Sequence, residues 1–391
     1  MLNVARKLWN RAGPRTHQSG FWFDRPLVLL ESDDWGRVGV RDREGFEELR
    51  AGGIQLGVHP YDSYTLETAE DLDSLWTLLK RHRDGTGRRP CMVMNFLTAN
   101  LDFPAIVANN FQKIELLSLV RGLPGRWKRP GLLEAYRQGI ADGLCYPALH
   151  GLTHFCQPAV EFALGDSGER GDFVRQLWRS ETPYIYWRMP WIGYEYWSPE
   201  KPKAGFLVHE EQENLIRLAA EGFAKLFSFF PESACAPGYR ANLETHAAWH
   251  KWGIRVAQNG TGAPVAPFID EFEVLNLSRT IDFEPVHKEL PLEKYMQLVD
   301  DCFSRGMPVI FSVHSINFQS VLRNFRDPTM QALDQLLSAI EAKYPNLLYL
   351  HDGDLYRIVT RGKFNSKSGP VTVTVKNLGG SATRSMSWGG K

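Results

Sequence analysis

Short apolar runs recur along this chain, separated by longer stretches whose apolar residues fall at helical spacing, and this alternation constrains the fold more than any other feature. The runs are Leu27–Glu31, Ile54–His59, Cys91–Phe96, Leu144–Leu149, Ile254–Ala257, Val274–Leu277, Pro308–Val313 and Leu347–Leu350. Each is short enough for a buried strand and too short for a helix. Between them, Asp42–Arg50 reads as a helix stopped by Gly52 and Gly53, and Leu66–Arg83 places Leu72, Leu75, Trp76 and Leu79 on one face. Helices are likewise expected at Ile114–Val120, Gly131–Ile140, Phe173–Ser180, Glu210–Leu226, Leu243–Trp252, Leu292–Phe303, Met330–Lys343 and Asp354–Val359. Strands alternating with helices imply a parallel sheet with crossover connections. So many strands favour a (β/α) barrel of about seven strands over an open doubly wound sheet, though the open sheet stays an alternative. In either, functional residues belong just past the C-terminal ends of strands.

The barrel is expected over residues 20–360, with an aromatic-rich insertion at Tyr184–Trp197. Residues 361–391 turn to Gly, Ser, Thr and Lys, and read as a tail or an added edge strand containing the alternating run Val371–Val375. With 45 basic and 45 acidic residues, the net charge of +0 gives no reason to expect nucleic acid as a partner. The five cysteines are scattered and form no CxxC pair, so neither a disulfide framework nor a thiolate zinc site is expected. No secretory segment or membrane-spanning run is read from the sequence, and a cytoplasmic enzyme is the default; an oligomer remains open. Met1–Trp9 reads as a frayed end or a short interfacial helix.

Three clusters fall where strands end. Asp33 and Asp34 follow the first run, and adjacent carboxylates there can divide metal binding and base catalysis between them; an ordinary Asx turn is the bland alternative. His150 and His154 follow the run Leu144–Leu149, four residues apart, and can reach one ion across a helical turn. The second such pair, His246 and His250, sits inside a helix and reads as packing. One carboxylate and two imidazoles leave coordination positions open for water and substrate. His314 ends the run Pro308–Val313 and suits a general acid, or else a core histidine bonded to backbone. Around these, Trp35, His59 and Asn317 are candidate pocket residues, as is Asn100 more weakly, and the aromatics of Tyr184–Trp197 could stack on sugar rings or simply pack on the barrel.

Ser32-Asp33-Asp34-Trp35-Gly36, His150-x-x-x-His154, Ala236-Pro237-Gly238-Tyr239 and Val313-His314 come in the order of the polysaccharide deacetylase (NodB-homology) family, which the chain resembles from about Leu27 to Tyr356. The resemblance implies a distorted (β/α) barrel, a divalent metal (zinc foremost, with cobalt, nickel or manganese as alternatives) and removal of N- or O-acetyl groups from sugars. It makes Asp33 the base, His314 the acid, and Asp34, His150 and His154 the metal ligands. It makes the backbone N–H of Tyr239 an oxyanion donor, and a carbohydrate or sugar conjugate the substrate. Two departures stand out. Cys235 occupies the place of the arginine that usually grips the catalytic aspartate, and Arg240 is the nearest substitute and a candidate substrate contact. The acidic partner of His314 is sought at Asp282. The sequence looks closer to members associated with surface polysaccharide synthesis than to secreted cell-wall deacetylases. Hydrolysis of a non-sugar amide, or a non-catalytic glycan-binding barrel, are the competing readings.

Overall fold

The computed structural model describes residues 20–378, except 201, 262–264, 289 and 367–368. The segment Met1–Trp9 and the last thirteen residues of the tail lie outside the described residues. Eight parallel strands form one curled sheet: β1 (Leu27–Trp35), β2 (Met92–Leu97), β3 (Cys145–Gly151), β4 (Ser233–Cys235), β5 (Val256–Asn259), β6 (Leu275–Ser278), β7 (Ile281–Asp282) and β8 (Val309–His314). Their spatial order is β6-β5-β4-β3-β2-β1-β8-β7. A two-residue antiparallel strand, Phe268–Ile269, extends the β6 edge, and β9 (Leu348–Tyr349) pairs with the first residues of β1. Among the described residues no pairing joins β7 to β6, so the sheet is a distorted half-barrel.

β1 lies in the middle of the sheet and all nine of its residues are buried. Its two faces feed different cores, as period-two alternation requires. Val28 and Leu30 join the large core beneath the flanking helices, whereas Leu27 and Leu29 join an inner cluster with Val256, Leu277, Ile310 and Leu348. The inner face then continues to Glu31 and Asp33, turning from apolar to charged along the strand. That change of character is what positions the site. The helix Asp352–Arg361 supplies Leu355 and Ile358 to the inner cluster.

Most expected elements are present, with ends shifted by up to four residues, as at Ala69–Leu79, Glu169–Arg179 and Arg326–Lys343. Asp42 caps the helix Arg43–Ala51 by accepting from the Gly45 N–H, and Thr68 forms a capping box at Ala69–Leu79. Two expectations fail. Ile54–His59 is irregular, because Gly53 and Gly57 take φ of +90° and +95° and Val58 is left 78 % exposed. Ile114–Val120 is not helical: Leu116–Ser118 pairs antiparallel with Ala99–Leu101, and a 3-10 turn follows. The run Val371–Val375 is split between two strands. Gly369–Thr372 pairs with Lys363–Ser366, and Val375–Leu378 pairs antiparallel with Gly20–Phe23. Phe364 and Val373 are buried in the inner cluster, so this part of the presumed tail is core. No helix among the described residues is long and apolar enough to cross a membrane.

Candidate active site and metal centre

The register of β1 against β2 shifts between Ser32 and Trp35, and Asp34 there takes a left-handed φ of +75°. A bulge of this kind re-aims side chains that simple alternation would send to opposite faces. It brings both Asp33 and Asp34 to the mouth of the half-barrel. The unusual backbone is held from outside: Tyr64 Oη donates to the Asp34 carbonyl at 2.8 Å, and Ser315 Oγ does so at 3.3 Å.

His150 ends β3 and His154 sits in the turn after it. Asp34 Oδ1 lies 3.5 Å from His150 Nε2 and 3.3 Å from His154 Nε2. Bonds of about 2.1 Å in a tetrahedral zinc shell place ligand atoms about 3.4 Å apart. His150 Nε2 is buried and lacks a hydrogen-bond partner, and the buried Asp34 Oδ1 beside it makes no hydrogen bond and has the Arg37 guanidinium as an ion-pair partner at 3.2 Å. An orphaned buried nitrogen needs an explanation, and a cation shared with Asp34 supplies one. His150 Nδ1 faces the Cys235 carbonyl at 2.8 Å, which places the ring proton there and leaves Nε2 as a lone-pair donor. Burial, reinforced by the charge of Arg37, keeps His154 well below the usual imidazole range and therefore neutral, despite the opposing pull of Asp34. Although burial would raise its pKa, Asp34 is held well below the carboxylate range by Arg37 and then His154. Two imidazoles and one carboxylate fit a borderline dication such as zinc.

Asp33 is clamped instead of coordinating. Arg279, in the β6–β7 connection, meets both its oxygens at 2.6 Å. Asn95 donates to Asp33 Oδ1 at 2.8 Å and Tyr239 Oη to Oδ2 at 3.1 Å. Burial opposes ionisation, but Arg279 outweighs it and holds Asp33 far below the carboxylate range. The other edge of Arg279 reaches Glu31 at 2.8 Å, and Gln258 accepts from its Nη2 at 2.8 Å. Arg279 thus grips Asp33 from a different strand end than that of Cys235. Arg240 does not; its guanidinium stacks on Trp197, 4.6 Å from the ring centroid.

Across the mouth, His314 Nε2 stands 3.9 Å from Asp33 Oδ2. Its Nδ1 meets Glu284 Oε1 at 2.6 Å, and Asn317 Nδ2 donates to Glu284 Oε2 at 2.6 Å. Glu284, two residues past Asp282, is thus the acidic partner, and Asp282 is exposed. Burial alone would lower the His314 pKa, but Glu284 raises it to about 9, so the ring carries a proton at neutral pH.

Other expected residues take different places. Trp35 is wholly buried and stacks on Phe318, so it lines the core and not a pocket. Asn317 is fully buried and orients Glu284, out of reach of a substrate. Asn100 caps the Gly36–Val38 turn from below. The Tyr239 N–H is spent on the Ala236 carbonyl at 2.8 Å, so this conformation offers it to no oxyanion. The side chain of Tyr239, at φ +57°, enters the site instead. His59 joins a rim cluster, its ring 5.3 Å from Trp187 and 5.8 Å from His287.

The aromatic insertion reaches the metal turn directly. Glu195, fully buried, accepts from the N–H groups of Leu152 and Thr153 at 2.8 Å each, between the two histidines. Gly151, at φ +132°, makes room: a Cβ there would lie 2.1 Å from Glu195 Oε2. Tyr184 Oη accepts from Arg37 at 3.0 Å, and Tyr194 packs edge-on to His154 at 5.7 Å. Arg279, Glu284 and Glu195 escaped sequence reading because each lies outside a recognisable motif, in a connection or an insertion.

Fold and site together define an α/β half-barrel carrying a carboxylate–bis-imidazole centre at its strand ends. No family model and no curated protein matches the chain. It is similar to a solved structure described as a putative polysaccharide deacetylase from Mycobacterium smegmatis, at 10% identity and TM-score 0.46, over 89% of this chain and 93% of that one. A second, described as a probable polysaccharide deacetylase from Pseudomonas aeruginosa PAO1, gives 13% identity and TM-score 0.46 over 86% and 91%. A CE4 family pseudoenzyme from Bacillus anthracis gives 11% and 0.36 over 86% and 68%. At these scores the likeness concerns the general path of the chain and assigns no residue a role.

Proposed function

We propose that the chain is a metal-dependent hydrolase that removes an acyl group, N-acetyl foremost, from an amino sugar or glycan intermediate. The observation that carries this reading is the convergence of Asp34, His150 and His154, whose ligand atoms lie within 4.8 Å of one another, beside a clamped Asp33 and opposite a protonated His314. A divalent cation held by those three residues would acidify a water and polarise the acyl carbonyl. Asp33, kept ionised and oriented by Arg279, is placed to take a proton from the attacking water. Glu284 keeps His314 protonated, and His314 is placed to give that proton to the departing amine nitrogen, which lets the C–N bond break. The Cys235 carbonyl fixes the other nitrogen of His150 and so directs its Nε2 at the cation, and His154, kept neutral by burial, presents a lone pair without prior loss of a proton.

The non-catalytic reading drew its motive from the missing arginine, and Arg279 removes that motive. Hydrolysis of a non-sugar amide stays the rival, separated by assaying acetylated amino sugars against small amides. Zinc content and acetate release are measured together on wild type, Asp34→Ala and His150→Ala. Both substitutions are expected to abolish both signals; activity that persists in metal-free protein would sink the reading.

A further inference from the structure

Arg240 follows the turn that carries Tyr239 and is half-buried over the indole of Trp197. Among the described residues no carboxylate pairs with it, and its Nε is buried without a hydrogen-bond partner. The Nε atoms of Arg37 and Arg188 are buried without a hydrogen bond as well, but each of the other guanidiniums around the mouth has a carboxylate partner: Arg37 has Asp34, Arg279 has Asp33 and Glu31, and Arg188 has Asp62. A guanidinium stays charged at all working pH values, and a buried N–H without an acceptor is an unmet demand. Arg240 lies close enough to Tyr186 and Tyr194 for its charge to act on both phenols. Those two rings stack on each other at 5.0 Å, and Tyr194 touches the candidate ligand His154. Arg240 is thus tied to the metal centre through one aromatic side chain.

The charges inside the mouth balance: Asp33 and Glu31 share Arg279, with the buried Glu31 carboxyl pushed up towards its neutral form, while His314 pairs with Glu284 and Asp34 with Arg37. A divalent cation would add two positive charges to that balanced set, and Arg240 places a third at the rim. We propose that the substrate is an anionic acylamino sugar, whose phosphate or carboxylate is received by Arg240 while the sugar lies against Tyr186 and Tyr194. This deepens the hydrolase reading and rests on it for the position of the acyl group. A flat, five-donor guanidinium braced on an indole is suited to bidentate capture of either anion.

The test compares binding of neutral N-acetylglucosamine with N-acetylglucosamine 1-phosphate, N-acetylglucosamine 6-phosphate, UDP-N-acetylglucosamine and N-acetylmuramic acid. Calorimetry is run on zinc-loaded wild type, Arg240→Met and Arg240→Lys, at low and high salt. At least one anionic sugar is expected to bind about tenfold or more tighter than the neutral one. The advantage should shrink in salt, disappear in Arg240→Met and survive in part in Arg240→Lys. The winning arm identifies the source of the charge as a sugar phosphate, a nucleotide or a carboxylate. Equal binding of all five sugars, or a preference that persists in Arg240→Met, overturns the proposal. Acetate release in the same samples separates the two readings. Release without charge preference leaves the hydrolase and removes the anion site; an Arg240-dependent preference without release does the reverse.

Discussion

Arg279 and Glu195 are the two side chains on which the geometry of the site most depends, and neither touches the candidate metal. Arg279 is fully buried and serves two carboxylates at once. Replacing it by leucine leaves Asp33 and Glu31 in a dry interior without their guanidinium, a loss of about 3–5 kcal/mol for breaking a buried pair. Lysine keeps the charge but cannot offer the two parallel N–H groups. Arg279→Lys is therefore expected to fold, to hold zinc as wild type does, and to lose about 10- to 100-fold in deacylation; urea unfolding, metal titration and acetate release together check this. Glu195 acts on the ligands themselves, through the amides of Leu152 and Thr153. Glu195→Ala should weaken zinc binding about 10- to 100-fold, while Glu195→Gln, whose amide oxygen can accept the same two bonds, should retain it. Equal zinc affinity in both variants, measured by chelator competition, would show that the turn holds itself.

At the scale of elements, the strand Lys363–Ser366 and the link between Gly369–Thr372 and Val375–Leu378 complete the inner core, since Phe364 in the first and Val373 in the second are each 2 % exposed. Truncation after Arg361 should lower Tm markedly while sparing zinc affinity, and Phe364→Ala alone should cost about 3–5 kcal/mol in denaturant unfolding. The sequence made the strands β1, β2, β3 and β8 readable because each carries a run of apolar residues long enough to show. β4 and β7 span three and two residues, too short for any periodicity. The same division holds in the site. Asp33, Asp34, His150, His154 and His314 stand at the ends of those readable strands. Their partners Arg279 and Glu284 sit in the connection between β6 and β8, where only the closing of the sheet reveals what they face. Trp35 misled because a bulge, invisible in residue types, turned it into the core.

For the whole molecule, the balance of buried acids sets the response to pH. Burial raises Glu195 to about 8, Glu67 to about 7 and Asp352 to about 6, and it pushes Glu31 up as well. A carboxyl raised on folding stabilises fully below its unfolded value near 4, and that stability is lost as pH rises through the folded value. His314, raised to about 9, adds a loss of the same sign. Asp33 and Asp34, held low, act oppositely and lose their contribution only in strong acid. His154 and His351, pushed below the usual imidazole range by burial, lose their contribution as pH falls below about 6.5 and oppose the raised acids there. Tm of the metal-free protein should therefore fall on the alkaline side, between about pH 7 and 9, with a shallower fall in Glu195→Gln; a flat profile over that range would contradict the assignment. Deacylation should decline as His314 loses its proton on the alkaline side.

The antiparallel pairing of Gly20–Phe23 with Val375–Leu378 sets Gly20 opposite Leu378 at one end of a four-residue ladder. Load applied outward through those two residues would fall on the bonds one after another, as in a zip, and not on all of them together. Stretched in an optical trap, the molecule would thus give way first at this seam and at low force, with the catalytic mouth intact until the inner core parts.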